Sequence, residues 1–242
     1  MKLHHTDAFT LKSELSCRKI ALLPIGATEA HGPHLPCGTD SILAERLCEK
    51  LAEKIEAVTL PSIHYSQVWS LGKFSGSIGI SFELLTKMIT ELLIDIHRNG
   101  FELIVIVNAH LGNLNAVKEA TRAAYKQNSD INVMYFFYPG ANKIIPQVMG
   151  QNLSEHGFFH ADEIETSYML HLAPEFVDME KAVNEAPNIP ELIDVTPIRW
   201  DEFTDTAVLG NAADATAEKG AAAIEYVIDE MVRLVGLKVS EA

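Results

Sequence analysis

Three short stretches of this chain concentrate side chains that bind cations or move protons. The first, IGATEAHGPHLPCGTD (residues 25–40), packs two histidines, two carboxylates, two prolines and three glycines into sixteen residues. Glu29 and His31 are two apart. In an extended segment such residues point the same way, so a carboxylate and an imidazole face one point. Asp40 stands just before a helical run, where it either caps that helix or faces the same cleft. Gly32, Pro33, Pro36 and Gly38 fix an irregular path between them. The second stretch, NAHLGN (residues 108–113), sets His110 between Asn108 and Asn113, whose amides can orient ligands or substrate. The third, HADEIETS (residues 160–167), holds His160 and Glu165 five apart. Asp162 and Glu163 between them read as an acidic first helical turn that complements the helix dipole. His160 and Glu165 are not explained that way.

Mixed nitrogen and oxygen donors suit Zn²⁺, Mn²⁺ or Fe²⁺ better than Ca²⁺ or an iron–sulfur cluster. Each stretch also has a plainer reading: a polar loop with a capping Asp, a structural histidine after a strand, an acidic helix start. No GxGxxG, P-loop or GxSxG is present, which argues against nucleotide binding by those routes and against a serine hydrolase. No Lys or Arg lies inside the three stretches to hold a phosphate ester. Cys37 has no visible basic partner and reads as packing. His34, three residues past His31, reads as a supporting side chain or loop packing with no claim on a metal.

Short apolar runs alternating with amphipathic ones must position these residues. Strands are expected at Lys19–Pro24, Val58–Ile63, Phe101–Asn108 and Ile131–Phe137. Helices are expected at Ser41–Ala57, Phe82–Gly100, Leu114–Gln127, Asp162–Leu172 and Ala215–Val235, from apolar stripes such as Leu43, Leu47, Leu51 and Ile55. Strand–helix alternation with buried strands predicts an α/β fold with a mostly parallel sheet. In such folds ligand sites gather at the carboxyl ends of strands, where the three stretches fall. Trp69 and the loop Ser70–Ser81 are candidates to close over a substrate. The stretch from Pro174 to Val208, with four of the ten prolines, reads as irregular surface or an oligomer contact.

At 242 residues the chain fits one domain over residues 1–242. Hydrophobic content of 48% and charged content of 21% are ordinary for a globular protein. A net charge of −14 argues against nucleic acid and anionic membrane as partners. The N-terminus lacks a signal-peptide core, and the run LIVIV is too short to span a bilayer. Three cysteines without a CxxC pair fit reduced thiols in a cytoplasmic protein.

Together the three stretches carry a resemblance. LPIGATEAHGPHLPCGTD resembles the signature of the creatininase family, creatinine amidohydrolases and their relatives. VNAHLGN is similar to its second motif, usually Asn-Gly-His-Gly-Gly-Asn, and HADEIETS to its third. LGNAADATAEKG (residues 209–220) is a weaker match to its C-terminal segment. The resemblance implies a three-layer α/β/α fold around a mainly parallel sheet. It also implies a binuclear metal site and hydrolysis of a non-peptide C–N bond in a small cyclic amide or formamide. It implies a homo-oligomer, often a hexamer. By position Glu29 and His110 match ligands of one metal, His31 matches a ligand of the other, and Asp40 matches the bridging carboxylate. His160 and Glu165 match residues at the reacting centre, where His160 would stabilise the oxyanion or protonate the leaving nitrogen. Creatininase proper has a tyrosine and a glutamate after the second-motif histidine, and that glutamate ligates metal. Here those positions are Leu111 and Gly112. A fifth ligand must come from elsewhere, and Glu165 is the remaining carboxylate in a matched motif. The departure places the chain nearer the family's other branches. Those include a deformylase of a formamidopyrimidine intermediate and a peptidase-like branch that trims a modified peptide. The expected cofactors are two divalent ions, Zn²⁺ paired with Zn²⁺, Mn²⁺ or Fe²⁺. The alternative is a non-catalytic, oligomeric small-molecule-binding relative.

Overall fold

The computed structural model describes residues 1–149, 160–193 and 195–241. Four parallel strands form the central sheet: β1 (Ile20–Ile25), β2 (Ala57–Thr59), β3 (Leu103–Asn108) and β4 (Val133–Phe136), in the order β2-β1-β3-β4. Crossovers between them run through helices α2 (Thr39–Lys54), α3 (Phe82–Arg98) and α4 (Leu114–Gln127). A short α1 (Ala8–Glu14) precedes the sheet, and α5 (Ala141–Val148), α6 (Glu163–Leu172) and α7 (Ala217–Ser240) follow it. A two-residue antiparallel pair, β5 (Asn184–Glu185) and β6 (Gly210–Asn211), sits apart from the main sheet.

The side-chain alternation of β3 divides the molecule into layers. Leu103, Val105 and Val107 face one core with α2, α5, α6 and α7. Ile104 and Ile106 face a second core with α3 and α4. Both faces of the sheet are covered, so β1 and β3 are apolar almost throughout. The result is a three-layer α/β/α fold. Helix α3 shows why its sequence is helical. Ser81 caps it by accepting from Leu84 N–H, and Leu85, Ile89, Leu93 and Ile96 form the buried stripe.

Two expectations change in detail. The second strand ends at Thr59 rather than Ile63, because the ladder slips: Leu60 N–H donates to Leu22 O, but the next bond to β1 runs from Ile63 N–H to Pro24 O, three residues against two. Asp40 lies inside the first turn of α2, whose N-cap is Gly38, so its carboxylate is not spent on capping.

The chain leaves β1 for β2 on one side and reaches β3 on the other. That makes the crevice at the carboxyl ends of β1 and β3 a topological switch point. Gly26 lets α2 start hard against the end of β1: a Cβ there would lie 2.2 Å from Ser41 N. Asp40 is thereby delivered into the crevice.

Candidate metal centre

Glu29, His31, Asp40, His110, His160 and Glu165 are all buried and gathered around this crevice. Their ligand atoms form three mutually close groups: Glu29, Asp40 and His110; His31, Asp40 and Glu165; and Glu29, His31 and His160. Asp40 belongs to the first two, one through Oδ2, 3.0 Å from His110 Nδ1, and the other through Oδ1, 3.2 Å from His31 Nε2.

Backbone carbonyls orient all three rings. His31 Nδ1 is 3.0 Å from Glu29 O, His110 Nε2 is 2.8 Å from Gln67 O, and His160 Nε2 is 2.8 Å from Ala30 O. A carbonyl only accepts, so the facing nitrogen carries hydrogen and donates. The opposite nitrogen of a neutral ring then presents a lone pair. His31 Nε2 presents it to Asp40 and to Glu165 Oε2 at 3.4 Å; His110 Nδ1 presents it to Asp40 and to Glu29 Oε2 at 3.5 Å. Acceptors facing acceptors at this range need a proton or a cation between them. His31 Nε2 and Asp40 Oδ2 are buried and have no hydrogen-bond partner among the described residues.

The protonation pattern points the same way. Burial opposes a charge on His31 and His110, but the carboxylates outweigh it. They hold His31 well up and His110 at about 9. Burial opposes a charge on Asp40 too, yet the two rings pull it below the usual carboxylate range. Burial pushes Glu29 up to about 7. In the metal-free chain, protons stand where a divalent ion would. The donor set, nitrogen and carboxylate oxygen in two groups sharing one carboxylate, fits such ions.

Supporting contacts fix the donors. Asn108 Nδ2 donates to His110 O at 2.7 Å, and Asn113 Nδ2 donates to Gly26 O at 2.9 Å, which ties the end of β3 to the end of β1. The two amides hold backbone rather than ligand or substrate. Asp162 caps α6 through Ile164 and Glu165 N–H, and Ala161 N–H donates to Glu165 Oε2 at 2.7 Å. Ala161 reaches that geometry with φ at +49°. Cys37 is half-buried and packs its Sγ against Gly76.

A cavity of about 160 Å³ opens onto the donors. Trp69, Phe137, Leu111 and Trp200 wall it, with Gln67 and Ser70 as polar neighbours. No lysine or arginine lines it among the described residues. Of the loop at residues 69–81, only Trp69 and Ser70 reach the cavity. Trp200 stands edge-on to the His160 ring at 5.8 Å. Gln67, Phe137 and Trp200 carry no spacing signal in the sequence; Trp200 lies in the proline-rich stretch that reads as irregular surface or an oligomer contact.

The chain is similar to known proteins along most of its length. The family model described as creatinine amidohydrolase matches residues 4–235. The chain belongs to the creatininase family. Creatinine amidohydrolase from Pseudomonas putida is 27% identical over 222 residues, 86% of this chain and 85% of that one. Mycofactocin precursor peptide peptidase from Mycobacterium tuberculosis is 29% identical over 229 residues, 88% and 83% of the two chains. A crystal structure of creatinine amidohydrolase superposes with a TM-score of 0.89 at 24% identity, covering 98% of this chain and 97% of that one. Gly112, where the family resemblance leads one to expect a glutamate, sits in a closed corner. A Cβ there would lie 2.5 Å from His110 Nε2 and 2.8 Å from Gln67 Oε1.

Proposed function

We propose that this creatininase-family hydrolase is a metal-dependent amidohydrolase acting on a non-peptide C–N bond of a small cyclic amide or formamide. Glu29, Asp40 and His110 would hold one divalent ion, and His31, Asp40 and Glu165 the other. Zn²⁺, Mn²⁺ and Fe²⁺ all suit these donors. Bound there, such ions supply Lewis acidity toward a carbonyl and a water whose pKa falls toward roughly 7. The observation that carries the reading is the close facing of buried ring nitrogens and carboxylate oxygens, His31 Nε2 and His110 Nδ1 lying 3.0–3.5 Å from oxygens of Asp40, Glu165 and Glu29.

The chain's own residues then have distinct tasks. His160 has its Nε2 hydrogen engaged by Ala30 O, so Nδ1 is the free atom, an acceptor rather than a donor. Burial and the neighbouring His31 push its pKa down to about 4, which keeps Nδ1 unprotonated at neutral pH. The expected role of proton donor to the leaving nitrogen therefore needs a first step, in which Nδ1 accepts a proton from the attacking water. It then hands that proton on. Asp40 and Glu165 balance the transient positive ring. Trp69, Phe137 and Trp200 offer flat apolar walls to a planar substrate and exclude water.

A second reading, removal of a residue from a modified peptide, is favoured by the 29% identical peptidase. The test is elemental analysis of purified protein with hydrolysis assays on creatinine, cyclic amides, formamides and short peptides. Bound divalent metal, and hydrolysis abolished by Asp40→Asn and His110→Ala, is the expected result. Protein unable to bind metal, or variants that keep full activity, would overturn it.

A further inference from the structure

His34 is the histidine of the first motif that belongs to none of the three metal-binding groups. It is nonetheless buried, and its Nε2 lies 2.8 Å from Thr166 Oγ1 across 132 residues of chain. Thr166 follows Glu165 in the first turn of α6 and is fully buried. The other edge of the ring lies beside the turn that carries His31, where Gly32 leaves it room: a Cβ there would come 2.9 Å from His34 Nδ1. The His34 carbonyl also accepts from Asp178 N–H at 3.0 Å, tying the same loop to the segment beyond α6.

We infer that the His34–Thr166 pair is a positioning element that sets the spacing of His31 Nε2 and Glu165 Oε2, now 3.4 Å, and so controls one of the two metal positions and not the other. The inference rests on the binuclear reading above. The selectivity follows from how each group is braced. The Glu29–Asp40–His110 group is held by Gln67 O, by the Asn108 and Asn113 amides and by the start of α2, through contacts that use no His34 atom. The His31–Asp40–Glu165 group draws its two outer donors from a turn and a helix that His34 joins directly. Removing the hydroxyl leaves a buried ring nitrogen without its partner, and the loop and α6 lose the contact that fixes their separation.

The test titrates metal-free protein with Zn²⁺ against a colorimetric chelator. Thr166→Val keeps the side-chain shape and removes the hydrogen bond. The expected result is two tightly held ions in the parent, and in Thr166→Val one unchanged and one weakened about 10–100-fold. Thr166→Ser restores the second. Joined to His110→Ala, Thr166→Val leaves no tightly held ion. The d–d spectrum of the Co²⁺ form should change for one ion's bands only. His34→Gln, whose amide reaches a similar point, supplies a second measurement if Thr166→Val does not fold. Equal weakening of both ions, or of neither, overturns the inference while leaving the binuclear reading intact. A parent protein that binds no ion overturns both.

Discussion

A backbone carbonyl anchors each histidine of the centre, and that anchor has no second protonation state to offer. The tautomer of each ring is therefore set by the fold and not by pH, which leaves the opposite nitrogen as the only titrating position. A pH dependence follows. His110 is held above its ordinary 6.5, so its contribution to stability is complete below that pH and lost as pH rises through about 9. Glu29, pushed up to about 7 by burial, acts in the same direction but in a lower window, its contribution being lost as pH rises from 4.5 to about 7. Metal-free protein should thus lose on the order of 1–3 kcal/mol between pH 6.5 and 9, and Zn²⁺ should abolish the trend. Urea denaturation with and without Zn²⁺ measures it; stability rising with pH in the metal-free protein would contradict it. Ala161 gives another test. It is fully buried with φ at +49° while its N–H holds Glu165. Ala161→Gly should stay within about 1 kcal/mol of the parent, whereas Ala161→Val, β-branched in the left-handed region, should cost more than about 3 kcal/mol.

At the scale of elements, the close approach of β1 and α2 is the contact on which both proposed metal positions would depend. Gly26→Ala would drive a methyl into Ser41 N and displace the first turn of α2, with the shared Asp40. The expected loss is about 1–3 kcal/mol or more of stability, and weaker binding of both ions, unlike the one-sided effect of Thr166→Val. Calorimetry and Zn²⁺ titration on the same variant separate the two losses. The sequence shows which elements exist when their periodicity is strong. Helix α4 runs over the expected Leu114–Gln127, and the buried run of β3 is unmistakable. Helix α1 is not legible because it buries none of its residues, so no apolar stripe marks it. Helix α5 is hidden by Pro146, which reads as a breaker but sits in it. The pair β5–β6 is two residues long and has no periodicity to detect. At the candidate site, residue types and order mark the six side chains that the structure gathers, Glu29, His31, Asp40, His110, His160 and Glu165. Backbone anchors such as Gln67 O have no side-chain identity to reveal them.

At the scale of the molecule, the donors come from positions 29 to 165 and meet only where the crossovers on both faces of the sheet are complete. Metal binding at the proposed centre would therefore report global folding. Cys48 lies on the buried face of α2, with its thiol pushed up by burial, while Cys17 is exposed. A thiol reagent should label Cys17 in the native protein and Cys48 only on unfolding. At a hundredfold excess of Zn²⁺ over its dissociation constant, one bound ion stabilises by about 2.7 kcal/mol, so Cys48 labelling governed by the unfolding equilibrium should slow about 100-fold. Labelling of Cys48 at the rate of Cys17 would contradict this picture. The chain's two tryptophans, Trp69 and Trp200, both stand on the wall of one cavity. Excited at wavelengths tyrosine does not absorb, the whole molecule therefore emits light from its mouth alone. A library of unlabelled compounds can be ranked by the colour and brightness of that emission before any reaction is known.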